Sequence, residues 1–255
     1  MKKASKWMGS GLVAAMLMAG HGAAEAADVT LGADVVSSYV WRGITLNSDV
    51  VVQPAMTVEH ESGLALGIWS NFDIGDDDGA LAERQFSEID FDLSYTRALG
   101  FVDLTVGYIE FTFPTGVEGE GEEVTGLTAD REVYVGVAAA CPYMPGLALD
   151  LTVYQNLATS DGTYALLSAE YGYEVLDGLT LSLVGTAAYG AKGVTAGGKS
   201  GLHDYLIGLN AEQTVTEALT VSAFVNYVGA LDSDVLPKEF IREDVFGGVG
   251  LAYAF

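Results

Sequence analysis

The sequence predicts an all-β fold: a transmembrane, antiparallel, up-and-down barrel of about twelve strands. Three observations predict it. Apolar and polar residues alternate with a period of two along most of the chain, the connections between the alternating runs sort by length, and aromatic residues gather at the ends of the apolar faces. The stretch EIDFDLSY, residues 88–95, shows the first of these. Glu88, Asp90, Asp92 and Ser94 interleave with Ile89, Phe91, Leu93 and Tyr95, so an extended chain is acidic on one face and apolar on the other. In a soluble sandwich those acids meet water and the aliphatics meet a core. In a membrane barrel the apolar face meets lipid and the acids line the lumen.

The first residues read as an export signal. Lys2, Lys3 and Lys6 precede the apolar run GLVAAMLMAG (11–20), and Ala24-Glu25-Ala26 has the small-x-small form of a cleavage site. Residues 1–26 are therefore expected to be a cleaved signal peptide and 27–255 the barrel. The apolar run is well short of the roughly 20 residues that a membrane-spanning helix needs. The 255 residues carry a formal charge of -24, and without the leader the chain stands at about -26 by the same count. Such a balance excludes a nucleic-acid partner, which requires a basic footprint, and disfavours charge-driven docking on anionic lipid. Thirty-two glycines, 13 tyrosines and only 18% charged residues suit a β-protein. Cys141 is the sole cysteine, so no internal disulfide forms, and no cysteine follows the leader's apolar run to take a lipid anchor.

The strands follow in order. The first, from Val29 to Arg42, sets Val29, Leu31, Ala33, Val35, Tyr39 and Trp41 against Thr30, Asp34, Ser38 and Arg42. The second, 50–60, opposes Val52, Met56 and Val58 to Gln53, Thr57 and Glu59, and the third opposes Leu64, Leu66, Ile68 and Phe72 to Trp69, Asn71 and Asp73. EIDFDLSY is the fourth. The fifth begins with Val102, Leu104, Val106 and Tyr108 against Asp103 and Thr105, then loses its phase at YIEFTF, where a bulge is expected. The sixth opposes Val133, Val135 and Val137 to Glu132 and Tyr134, and the seventh opposes Leu149, Leu151 and Val153 to Asp150, Thr152 and Tyr154. The eighth opposes Leu167, Ala169 and Tyr171 to Ser168 and Glu170, and the ninth opposes Leu181, Leu183 and Tyr189 to Ser182 and Thr186. The tenth sets Tyr205, Ile207 and Leu209 against Asp204, Asn210 and Glu212. The eleventh sets Val221, Val225 and Tyr227 against Ser222 and Asn226, and the last pits Val249, Leu251, Tyr253 and Phe255 against small residues. His60 and His203 fall on the apolar side, both at strand ends.

After the even strands the connections are short: ESG, RALG, CPYMPG, VLDG and TVTEA. After the odd strands most are long and rich in glycine or acid, such as PTGVEGEGEEVTGLTAD and ALDSDVLPKEFIR. Sorting by parity is the outer-membrane pattern, and a Greek-key sandwich has no reason for it. Tyr39, Trp41, Tyr189 and Tyr227 are expected at the long-loop rim, with Tyr95, Tyr171, Tyr173, Tyr253 and Phe255 at the other. The terminal aromatic Phe255 is the kind of end that barrel-assembly machinery reads.

SSYVWRGITL (37–46), QPAMTVEHESGLALGIW (53–69), SEIDFDLSYT and VGYIEFTFP together resemble the TorF-type porins of proteobacteria. The resemblance is close over the first half of the chain after the leader and rests on strand pattern in the second. It implies an outer-membrane barrel classed with the porins, with no settled substrate and no assigned functional residues. The acidic insertion GVEGEGEEVTG departs from the family's pattern.

The pattern places Asp34, Glu59, Asp73, Glu88, Asp90, Asp92, Asp103, Glu132, Asp150, Glu170, Asp204, Glu212 and Asp244 inward, with Arg42 as the one clear inward cation, near the rim. An excess of carboxylates between low-dielectric walls attracts cations, so the expected function is passive diffusion of ions and small polar solutes through a cation-preferring pore. The bland alternative is that these acids are simply hydrated or hydrogen-bonded across the lumen. Twelve strands lie between the filled eight-stranded barrel and the wide porin, and inward Trp69, Tyr134, Tyr154 and Phe224 narrow the bore. A closed structural or surface-interaction barrel acting through acidic loops is the second reading. DIGDDDG (73–79) and EGEGEE (118–123) gather carboxylates, but Ile74 and Gln85 stand where a calcium loop needs its first and last ligands, so solvated loops are expected. No cofactor or metal is expected. Partners are outer-membrane lipid, lipopolysaccharide, the assembly machinery and small solutes. A barrel hydrolase is the third reading: the His203-Asp204 pair near Ser200 is its only hint, without a G-x-S-x-G or H-E-x-x-H signature.

Overall fold

The computed structural model describes residues 27–75, 84–114, 128–158 and 161–255. The leader and most of the two acidic loop segments expected above lie outside the described residues. A strand in lipid has no water to bond, so every backbone group must find another strand, and only a closed sheet supplies that. The chain closes. β1 (Asp28–Val36) pairs on one side with β4 (Val51–Glu59) and on the other with β14 (Val245–Ala254). Between these run β5 (Leu64–Asp73), β6 (Gln85–Leu99), β7 (Val102–Phe113), β8 (Thr128–Ala140) and β9 (Leu147–Asn156), then β10 (Thr163–Leu176), β11 (Leu179–Gly190), β12 (Gly201–Thr214) and β13 (Leu219–Ala230). Each pairs antiparallel with its sequence neighbour, giving a closed barrel of twelve strands. Among the described residues no helix is long and apolar enough to cross a membrane.

The apolar face is outside. Leu31, Val35, Leu66, Phe91, Leu93, Val135, Leu151, Leu183, Leu209 and Leu251 are all exposed, a distribution that suits a hydrocarbon surround. Tyr189 and Tyr227 are exposed at the long-connection end, and Tyr95, Tyr171, Tyr173, Tyr253 and Phe255 at the short-turn end. On the outer face Tyr108 donates to Glu110, which also lies 4.0 Å from Arg131.

Three expectations about register are corrected. The first strand does not continue to Arg42. It ends at Val36, and the chain turns into the lumen as a separate hairpin of β2 (Tyr39–Trp41) and β3 (Ile44–Asn47). Tyr39 and Trp41 are therefore interior groups rather than part of the lipid-facing belt, and Tyr39 is buried. The fifth segment, β7, carries no bulge: its ladders to β6 and β8 run without a register shift, placing Ile109 and Phe111 inward and Tyr108 and Glu110 outward. The phase was obscured because apolar groups occupy both faces there. His203 does not face lipid. The β11–β12 ladder shifts between Ala187 and Tyr189, and the extra residue on β12 lets both His203 and Asp204 point inward, where both are buried.

Candidate functional site: an interior hairpin over an acidic lumen

Val36 and Val51 are directly paired, so a tight turn suffices to join β1 to β4. The chain instead spends residues 37–50 on the hairpin. Its turn is Arg42-Gly43, with Trp41 paired to Ile44 and both turn residues at positive φ, 47° and 77°. Those angles fit a two-residue type I′ turn, and Gly43 has a second reason to be glycine. A Cβ there would stand 2.7 Å from Leu236 Cδ2 and 2.8 Å from Asp204 Cβ. The hairpin tip is wedged against β12 and the β13–β14 connection.

In the strand order, β8, β9 and β10 stand across the ring from β1 and β4, and the hairpin reaches them. Arg42 donates two hydrogen bonds to Glu132, Nη1 to Oε1 at 2.9 Å and Nη2 to Oε2 at 2.7 Å. Its guanidinium carbon sits 4.4 Å from the ring centre of Trp41, 5.0 Å from that of Tyr154 and 4.2 Å from that of Tyr164. Side-chain exposure is 10% for Arg42 and 2% for Glu132, so this is a desolvated ion pair. Tyr164 donates to Asp204 at 2.7 Å, and His203 Nδ1 lies 2.7 Å from the same oxygen. Along the sides, Tyr39 donates to Glu88 on β6 at 2.7 Å and Asn47 donates to Asp73 on β5 at 2.7 Å. From above, the amides of Arg242 and Glu243 both donate to Thr45 Oγ1 at 3.0 Å. Hairpin residues Tyr39 and Val40 join Val36, Val51, Val184, Leu206, Val228 and Phe246 in an apolar cluster at this level of the lumen.

Of the inward carboxylates expected from the sequence, Asp244 is instead exposed, in the connection just before β14, and the other twelve divide into two tiers. Asp73, Glu88, Asp90, Glu132 and Asp204 are buried at the level of the hairpin. Asp34, Glu59, Asp92, Asp103, Asp150, Glu170 and Glu212 are half-buried on the inner face nearer the short turns. Asp92 accepts from Tyr134 at 3.0 Å, and Asp150 accepts from Thr152 at 2.9 Å. Tyr134 lies flat over Gly107, whose missing side chain leaves it room. Neither oxygen of Asp90 has a hydrogen-bond donor among the described residues. Arg42 moves from the expected rim position to the far wall. The sequence reading missed the hairpin, and its available signal was the Arg-Gly pair flanked by YVW and ITL. Among the described residues, no group of His, Cys, Asp and Glu has the geometry to hold a metal ion.

A closed, apolar-skinned barrel of twelve strands with an occupied upper lumen has the architecture of outer-membrane barrels. The chain belongs to the Gcw_chp family, described as bacterial protein of unknown function, whose profile matches residues 20–240. It is similar to the crystal structure of the COG4313 outer membrane channel from Pseudomonas putida F1, with a TM-score of 0.55 and 13% identity, covering 92% of this chain and 97% of that one. It is also similar to the KdgM porin in complex with disordered oligogalacturonate (TM-score 0.54, 9% identity, 89% and 99% covered). A third likeness is to the NanC porin (TM-score 0.51, 12% identity, 89% and 99% covered). At these identities the likeness establishes the fold. No curated protein matches the chain.

Proposed function

We propose that the chain is an outer-membrane, porin-like channel of the TorF type, exported through a cleaved leader of residues 1–26, that passes ions and small polar solutes and prefers cations. The observation that carries this reading is the lower tier: seven half-buried carboxylates from Asp34 to Glu212 on an inner wall. Among the described barrel strands that wall bears no lysine or arginine, because Arg97 and Arg131 lie on the outer, exposed face. Between low-dielectric walls such an array raises the local concentration of cations. An anionic sugar chain such as the oligogalacturonate of the KdgM complex meets the wrong sign of charge here. Phe255 offers a terminal aromatic to the assembly machinery, and lipid and lipopolysaccharide surround the apolar skin.

The test is the reversal potential of the refolded protein in a planar bilayer under a tenfold salt gradient. A potential on the cation side, reduced by at least half in Asp92→Asn/Asp150→Asn, supports the reading, whereas an anion-side potential contradicts it. The packed hairpin favours a second reading, a closed barrel acting at the cell surface through its acidic loops. A sealed bilayer over demonstrably folded protein selects that one.

A further inference from the structure

Of the parts that hold Arg42, the carboxylate and the two tyrosine rings belong to the barrel wall. Glu132 presents both oxygens to one guanidinium edge, while the faces of Tyr154 and Tyr164 lie within 5.0 Å and 4.2 Å of its carbon. The two rings are held by contacts within the wall. Tyr164 is anchored by Asp204, Tyr154 packs at a tilt against Tyr134 with ring centres 5.5 Å apart, and Tyr134 is tied to Asp92. Only the cation and Trp41 come from the connection between β1 and β4. A planar fork matched to a carboxylate and flanked by two aromatic rings distinguishes guanidinium from alkali ions and from simple ammonium, which lack the fork and the flat face.

We infer that the Glu132–Tyr154–Tyr164 cage is a binding site for guanidinium-bearing solutes, and that Arg42 occupies it as the chain's own stand-in for such a ligand. Withdrawal of the hairpin leaves a buried carboxylate and two aromatic faces without their cation, and a free guanidinium compound supplies what is lost. The tether gives Arg42 an effective concentration in the millimolar range, so wild-type protein responds to added solute only weakly. The inference builds on the channel reading for its access route, and one arm of the test is independent of conduction.

Arg42→Ala vacates the cage. Its conductance is expected to rise several-fold over wild type, and a few millimolar guanidinium chloride is expected to bring it back towards the wild-type level. Methylammonium chloride at equal ionic strength should require at least tenfold more to do the same. Adding Glu132→Gln to Arg42→Ala should abolish that difference. In detergent micelles the emission of Trp41, which caps the cage, should follow the same titration whether or not the barrel conducts. Equal titrations with guanidinium and methylammonium, or a response undiminished by Glu132→Gln, would overturn the inference. Absence of conductance together with a guanidinium-selective fluorescence response would sink the channel reading and leave the cage standing. If Arg42→Ala does not fold, Arg42→Lys keeps the charge without the fork and is titrated in its place, with the same two outcomes.

Discussion

Asp90 and Asp92 are two residues apart on one strand and face the same interior, yet Asp90 is 2% exposed and Asp92 is half-buried. The hairpin makes the difference. At its level the lumen is packed, where burying a polar group is costly unless it is paired, and Glu88, Glu132 and Asp204 each accept hydrogen bonds there. Towards the short turns the same alternation of residue types leaves carboxylates that water can reach. One period-two pattern thus builds two environments, and the sequence of the wall alone does not determine which level becomes which. The connection between β1 and β4 does.

The largest test of that contrast is Glu132→Gln. It leaves Arg42 buried without its counter-charge, and breaking one side of such a pair costs about 3–5 kcal/mol. The loss should fall on hairpin docking: the emission of Trp41 and Trp69 shifts to the red while the barrel keeps its heat-modifiable mobility on a gel. Unchanged emission would show that the upper tier does not depend on the pair. Gly43→Ala should be next, at about 1–3 kcal/mol, since the turn residue needs positive φ and its Cβ would press on Leu236 and Asp204. A drop in the urea midpoint of the tryptophan signal measures it, and no drop would show that the tip relaxes freely.

The smallest effect lies outside the barrel. Lys199 sits 2.8 Å from Asp234, and this hydrogen bond, reinforced by the lysine's charge, holds the Asp234 carboxyl below its ordinary value. An acid with a depressed pKa contributes fully above its ordinary titration range and loses that contribution as pH falls through the lowered value. The contact should therefore be indifferent to pH near neutrality and release only in acid below the usual aspartate range. Lys199→Ala should return the Asp234 titration to that range by NMR. Both groups are exposed, so overall stability should not change measurably.

The twelve wall strands were legible because a lipid-facing barrel writes its two faces as strict alternation. Leu93 and Leu209 are outward, and Asp92 and Asn210 inward, as the pattern requires. The hairpin was not legible by that rule. Ser38, Tyr39, Val40, Trp41 and Arg42 keep the alternation going, so the chain reads as one long strand although it leaves the wall at Val36. Periodicity reports that a segment is extended but not which neighbour it pairs with, and only the Arg-Gly turn marks the break. His203 was lost for a related reason. A bulge inverts the phase of all residues on one side of it, so that Leu202 is exposed and His203 buried, and a two-residue period has no way to signal it.

The most direct measurement replaces residues 37–50 by a two-residue Asn-Gly turn joining Val36 to Val51, and compares single-channel conductance with wild type in the same salt. A folded, hairpin-less barrel should conduct several-fold more than wild type and keep its cation preference, because the lower carboxylates remain. Equal conductance, with folding confirmed for both proteins, would contradict the claim that the hairpin narrows the upper lumen.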